Sequence, residues 1–220
     1  MTAFGLINSL AFLAAAVAAG WLARDRATMR KHLPGFVATC VVFGYAFSYG
    51  SKWLLYDTVL GLDAHICEGT HFYGTAIGAS LAGYGYARFH GLSFSMIADA
   101  VYPSILLGSS IGRLACYQAG CCGGLDPTVP VQLFSSSFDL LGFLLVVLVM
   151  RPRVRTQGLI GVAAVVTYGS VRLCIEFLRD EPRILFGATL AQTLSILTMS
   201  TALLIWGAVL RSRPAVEVHA

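Results

Sequence analysis

The sequence predicts an all-α integral membrane protein, a single domain over residues 1–220 that folds as a seven-transmembrane-helix bundle, N-terminus outside and C-terminus cytoplasmic. Three observations support this fold class. The chain is 57% hydrophobic and only 12% charged, long apolar stretches recur along it, and its basic residues gather in alternate loops. Soluble domains carry about 25% charged residues and disordered chains are polar, so both classes are excluded. No nucleic-acid partner is expected, because the basic residues are few and scattered between apolar blocks.

Seven apolar stretches are long enough to cross a bilayer, which requires about 20 residues in a helix. They cover residues 3–23, 34–56, 70–89, 95–113, 130–150, 158–178 and 187–210. Each stretch must satisfy its own backbone hydrogen bonds in lipid, so each is predicted to be a helix. Ten of the 15 Lys and Arg residues lie in the loops after spans 1, 3, 5 and 7. The positive-inside rule places those loops in the cytoplasm.

Spans 3 and 4 carry small residues that we interpret as positions of close helix packing. They include Gly74, Gly78, Gly85 and Gly108.

Span 4 ends in Arg113, which has no acidic residue nearby in the sequence. An arginine at the membrane boundary either extends to lipid headgroups or binds a phosphate bidentately. The glycine- and thiol-rich segment that follows favours the phosphate. Asp99, near the cytoplasmic end of span 4, is expected to reach water. Asp139 in span 5 is expected to form hydrogen bonds inside the bundle.

Span 6 holds the densest set of polar side chains. Tyr168, Arg172, Glu176 and Arg179 follow one another at i, i+4, i+8 and i+11, which places them on one helical face. Arg172 and Glu176 could simply form an ion pair that fastens the bundle. The second arginine favours an anion site in which Glu176 orients Arg172, because ionisable residues inside a membrane are costly and usually functional.

The six cysteines fall into two groups. Cys40 and Cys174 lie inside apolar spans and are interpreted as small buried hydrophobic residues. The other four are predicted at the outer face, where disulfides can form: Cys67, Cys116, Cys121 and Cys122. Adjacent Cys121 and Cys122 are too close in the chain for an ordinary disulfide, but one of them could pair with Cys67.

A metal site is the alternative use of these thiols. His65, Cys67 and His71 are predicted to face the same outer surface as the other three cysteines. Their spacing matches no strong metal-binding signature. The sequence therefore predicts neither a metal nor a cofactor.

These residues resemble a known family, the bacterial prolipoprotein diacylglyceryl transferases, over roughly residues 40–205. The segments that carry the resemblance are Gly112–Tyr117 with Gly120–Gly124, Pro130–Phe134, Tyr168–Asp180 and Gln192. The resemblance implies an enzyme of the bacterial inner membrane that takes phosphatidylglycerol as donor. It transfers the diacylglyceryl group to a cysteine thiol at the outer face of the membrane and leaves glycerol phosphate.

The resemblance also implies roles for individual residues. Arg113 and Arg172 would hold the phosphate, with Glu176 as their orienting partner. Further contacts with the substrate are expected from Arg179, Tyr168, Gln132, Cys116, Cys121 and Cys122. A histidine that is the proposed base of the family aligns with Tyr73, and His71 lies two residues earlier, so either is a candidate base.

The chain departs from the family pattern on the side of the site that handles the acceptor. Cys116, Ala119 and Cys121 stand where the family has two asparagines and a glutamate. The acceptor is therefore predicted to be a protein or small-molecule thiol, or another nucleophile. Two alternatives remain at this point: a thiol-redox or metal-handling membrane protein that uses the outer cysteines, and a non-catalytic lipid binder.

Overall fold

The computed structural model describes residues 3–51, 53–54, 72–179, 181, 183–185 and 187–211, and seven α-helices run through this part of the chain. They are α1 (Ala3–Leu22), α2 (Ala27–Ser51), α3 (Phe72–Phe89), α4 (Phe94–Gln118), α5 (Val131–Leu144), α6 (Leu159–Glu176) and α7 (Leu190–Arg211). A π-helical turn, Leu145–Met150, extends α5. A short antiparallel hairpin, β1 (Arg183–Leu185) and β2 (Ala188–Thr189), precedes α7.

The predicted helical class is confirmed, and the ends of two helices differ from prediction. Six of the seven described helices, all but α3, are long and apolar enough to cross a membrane. Helix α2 begins at Ala27 rather than at residue 34 and carries Pro34 inside it. Helix α4 continues past Arg113 to Gln118, so that Cys116 lies on its last turn.

Helix α4 lies at the centre of the bundle. It packs on α1, α5 and α6, whereas α2 packs mainly on α3 and α7 on α6. Gly108 allows the close approach of α1, because a Cβ there would lie 3.3 Å from the carbonyl oxygen of Ala11. The packing role predicted for Gly74, Gly78 and Gly108 agrees with the structure. The prediction for Gly85 is wrong, since no atom of the described residues lies within 4 Å of the place of its Cβ.

The interior of the bundle is apolar toward one end and polar toward the other. Leu22, Met29 and Ile97 belong to an apolar cluster where α1 ends and α2 and α4 begin. Buried polar side chains line the helices toward the opposite end, among them Ser110 and Asp139. Many large apolar side chains are exposed on the outside of the helices, as expected for surfaces that face lipid.

Two expectations for single residues need correction. Asp99 does more than reach water, because it accepts hydrogen bonds from the backbone N–H groups of Gly158 (2.8 Å) and Gly161 (2.9 Å). It thereby satisfies donors at the N-terminus of α6. The predicted burial of Cys174 is wrong: this residue lies on the exposed side of α6, because an apolar span leaves open which of its faces is turned to lipid. Cys40 is half-buried and contacts the carbonyl oxygen of Ala79.

Candidate functional site

A buried carboxylate contacts Arg172 on α6 and Arg179 just beyond the end of that helix. The Glu176 side chain is only 1% exposed, and its Oε2 lies 2.9 Å from Nη2 of Arg172 and 3.7 Å from Nε of Arg179. The predicted pair of Arg172 and Glu176 is therefore present. The i, i+4 spacing of the two side chains produces this contact, since such residues are neighbours on a helix surface.

The hairpin before α7 supplies the partner of the other carboxylate oxygen. Thr189 Oγ1 donates to Glu176 Oε1 at 3.0 Å. The backbone N–H of Thr189 donates to the Gln192 side chain (3.0 Å), and the N–H of Gln192 donates back to Thr189 Oγ1 (3.2 Å). The Thr189 side chain therefore both holds Glu176 in place and caps the N-terminus of α7. Both oxygens of Glu176 are engaged, so its position is tightly defined.

Arg179 lies just beyond the end of α6 and has a second acidic partner. Its Nη2 lies 2.6 Å from Oε1 of Glu181. Burial alone would lower the pKa of Arg179, but its hydrogen bond and ion pair with Glu181 outweigh that effect and hold the pKa above its usual value. Arg179 therefore stays charged next to two carboxylates, although its buried Nε forms no hydrogen bond with any described residue.

Arg113 faces the same interior from α4. It is half-buried, and it has neither a hydrogen bond nor an ion pair with any residue that the structure describes. Its guanidinium is close enough to Tyr168 and Asp139 to interact with them electrostatically. It is also close enough to Arg172 for the two positive charges to repel each other. An arginine that lies near another arginine and has no direct carboxylate partner is suited to an added anion.

Asp139 on α5 is a buried hydrogen-bonding residue, as predicted, and together with Arg113, Arg172 and Glu176 it forms what we call the polar wall. It is 1% exposed, and Ser109 Oγ donates to its Oδ2 at 2.7 Å. Within the described residues, Oδ1 of Asp139 and Nη1 of Arg172 are buried and have no hydrogen-bond partner. Because buried polar atoms normally have partners, the wall offers both donors and an acceptor to a ligand.

The segment after α4 lies against the end of α6. The Leu125 N–H donates to the Leu178 carbonyl at 2.9 Å, and Gly124 and Arg179 form an antiparallel bridge. A Cβ at Gly124 would lie 2.6 Å from the Leu178 carbonyl oxygen, so only glycine permits this approach. Gln132 on α5 donates to the Cys121 carbonyl at 2.8 Å. The structure thus gives Gln132 the role of holding this loop.

The Sγ atoms of Cys116, Cys121 and Cys122 lie within 4.8 Å of one another at the edge of the site. Those of Cys121 and Cys122 are 3.7 Å apart, so these two thiols are not bonded to each other, as predicted.

Most of the predicted site residues come together, whereas three candidate residues fall outside what the structure describes. Helices α4, α5 and α6 bring together Arg113, Cys116, Gln132, Tyr168, Arg172, Glu176 and Arg179, with Cys121 and Cys122 on the adjoining loop. His65, Cys67 and His71 lie outside the described residues, and Tyr73 is the second residue of α3. Thr189 and Ser109 were missed, because neither has a sequence signal that distinguishes it from an ordinary helix or loop hydroxyl.

Comparison with known proteins agrees with this arrangement. A family model for prolipoprotein diacylglyceryl transferase matches residues 1–208. Similar curated proteins, all called phosphatidylglycerol–prolipoprotein diacylglyceryl transferase, come from Clostridium tetani (31% identical, 53% of this chain and 54% of the relative), Dehalococcoides mccartyi (28%; 61% and 59%) and Wolinella succinogenes (24%; 74% and 65%). The chain thus aligns with little more than half the length of the first two. Because the family model spans nearly the whole sequence, including every element that builds the polar wall, the chain belongs to the prolipoprotein diacylglyceryl transferase family.

Proposed function

We propose that this protein is a membrane-embedded transferase that uses phosphatidylglycerol as diacylglyceryl donor to a thiol at the outer face of the bacterial inner membrane. The observation that carries the proposal is the pair Arg113 and Arg172. One has no ion-pair partner among the described residues, and the other keeps a buried Nη1 without a partner. The names of the relatives support this donor and a lipoprotein precursor as acceptor.

The polar wall matches the headgroup of phosphatidylglycerol in both of its parts. The phosphate offers acceptors for the guanidinium groups of Arg113 and Arg172, which bind such oxygens bidentately. The headgroup glycerol offers hydroxyl donors, and Oδ1 of Asp139 is a buried acceptor without a partner among the described residues. Glu176 then acts as a positioning residue, because its fixed carboxylate holds Arg172 in place.

In the proposed reaction a thiolate attacks the glyceryl carbon of the donor that bears the phosphate. A C–S bond forms, the C–O bond to the phosphate breaks, and glycerol phosphate leaves with the electron pair. The arginines stabilise the charge that develops on this leaving group. The thiol must first lose its proton, and we propose Tyr73 or His71 as the base.

We further propose seven spans, with the N-terminus outside.

Release of glycerol phosphate from phosphatidylglycerol tests this function directly. Purified protein in detergent is given the lipid and a peptide that carries the modified cysteine of a lipoprotein precursor, and both products are measured. We expect turnover by the wild type and its loss in Arg113→Ala and Arg172→Ala. Arg88→Ala, at an exposed position on α3, is the matched control. Turnover that survives both substitutions would contradict the proposal. Bound lipid without any product would indicate a non-catalytic lipid binder.

A further inference from the structure

Three thiols converge at the end of α4, although the sequence predicted no metal site there. Cys116 lies on the last turn of the helix, and Cys121 and Cys122 lie in the loop that follows. Their Sγ atoms all lie within 4.8 Å of one another, and all three residues are half-buried. The spacing along the chain conceals this cluster, because the loop reverses direction between the first cysteine and the other two.

The backbone of the loop maintains this convergence. The Cys121 N–H donates to the Cys116 carbonyl at 3.1 Å, and Gly120 makes the reversal with φ of +68°. Cys122 has φ of +61°, an uncommon value for a residue with a side chain. Gln132 holds the Cys121 carbonyl from the neighbouring helix. Several independent contacts therefore hold the thiols close together.

The separation of the sulfurs suits a thiolate-bound metal ion. Zinc binds thiolates at about 2.3 Å in tetrahedral sites, which places two such sulfurs about 3.8 Å apart. Cys121 and Cys122 already have their Sγ atoms 3.7 Å apart. The other two sulfur–sulfur distances are at most 4.8 Å. A side-chain movement of about 1 Å would shorten them to the distance found in zinc sites.

The surrounding charge also favours such an ion. Three thiolates around a divalent cation carry a net negative charge, which a low-dielectric site must compensate. Arg113 interacts electrostatically with Cys116 and Cys122, and Arg179 interacts with Cys122. Their positive charge would offset the net negative charge of such a metal–thiolate cluster.

We propose that Cys116, Cys121 and Cys122 form a three-thiolate zinc site at the edge of the polar wall. Three protein ligands leave a fourth tetrahedral position open, as in zinc sites that bind water or a substrate atom. The inference stands on the sulfur geometry and the charges around it, so it holds or fails independently of the proposed transferase activity.

The test is the metal content of the purified, detergent-solubilised full chain, measured by elemental mass spectrometry after reduction and dialysis against zinc. We expect stoichiometric zinc in the wild type and in the control Cys174→Ser, whose cysteine lies on the exposed face of α6. The single variants Cys116→Ser, Cys121→Ser and Cys122→Ser should lose it. Cobalt in place of zinc should give thiolate-to-metal charge-transfer absorption in the wild type and not in these variants.

Two results would overturn the proposal. One is a wild type with no more zinc than the three serine variants, or with copper in its place. The other is a metal-free protein whose unreduced mass shows a disulfide within the cluster. The cobalt spectrum is recorded on the wild type, so it remains informative if a serine variant fails to fold. A melting temperature measured in the presence of a chelator separates loss of metal from loss of fold.

Discussion

A single carboxylate organises the charged side chains of α6. Glu176 neutralises Arg172 and contacts Arg179, and Thr189 binds its other oxygen. Charges in a low-dielectric interior are tolerated only when they are paired and hydrogen-bonded. Arg113 differs, because no carboxylate pairs with it directly among the described residues. This contrast between neighbouring arginines is the reason we propose Arg113, rather than Arg179, as the cation that binds the ligand.

Glu176→Gln should destabilise the protein strongly. The change removes the charge that compensates two arginines, and removal of one partner from a buried ion pair costs about 3–5 kcal/mol. We expect a clearly lower midpoint of thermal unfolding in detergent. Asp25→Asn is the control, because the pair of Arg24 and Asp25 is largely exposed and such pairs contribute about 1 kcal/mol or less. Equal shifts for the two variants would show that Glu176 is not the organising charge.

Asp139→Asn should weaken recognition of the headgroup glycerol. A hydrogen bond to a charged acceptor contributes about 1.5–3 kcal/mol, so kcat/KM for phosphatidylglycerol should fall about tenfold or more. Phosphatidylmethanol, which lacks the headgroup hydroxyls, should be turned over by the variant and the wild type at similar rates. An equal loss with both lipids would show that Asp139 acts only through the fold.

Helix α3 depends on glycine for its contact with α2. A Cβ at Gly78 would collide with Phe47 and lie 2.8 Å from the backbone oxygen of Phe43, whereas a Cβ at Gly85, on the same helix, would meet no described residue within 4 Å. Gly85→Ala should therefore be neutral or stabilise by up to about 1 kcal/mol, because alanine favours the helix. Gly78→Ala should lower the thermal midpoint by forcing α2 and α3 apart. Matching shifts in the two variants would contradict this account of the packing.

Local sequence pattern predicted the elements and one face of the site, but not the contacts between elements. The helical stripe of Tyr168, Arg172 and Glu176 follows from periodicity alone and is present in the structure, whereas α6 ends before it reaches Arg179. The hydrogen bond from Thr189 to Glu176 depends on how a short hairpin folds back. Asp99 meets the start of α6 only after α4 and α6 have packed together. No local pattern encodes such long-range contacts.

At the scale of the whole molecule, polarity is distributed along the bundle axis. The apolar cluster occupies the end where α1 meets α2, and the polar wall occupies the opposite end. The loop after α4 therefore lies at the same end of the bundle as Arg113 and Arg172. The loop before α6 lies at the end that holds the apolar cluster. Charge patterning in the sequence predicts which of these ends faces the cytoplasm.

Accessibility of introduced cysteines should reveal this orientation. Thr128 lies exposed in the loop after α4, and Gln157 lies exposed just before α6. With the N-terminus outside, a membrane-impermeant maleimide should label Thr128→Cys in intact cells and should label Gln157→Cys only after permeabilisation. Labelling is measured as added mass relative to the wild type, so that the native thiols cancel. The opposite pattern would place Arg113 and Arg172 at the cytoplasmic side, where no acceptor exported across the membrane could reach them.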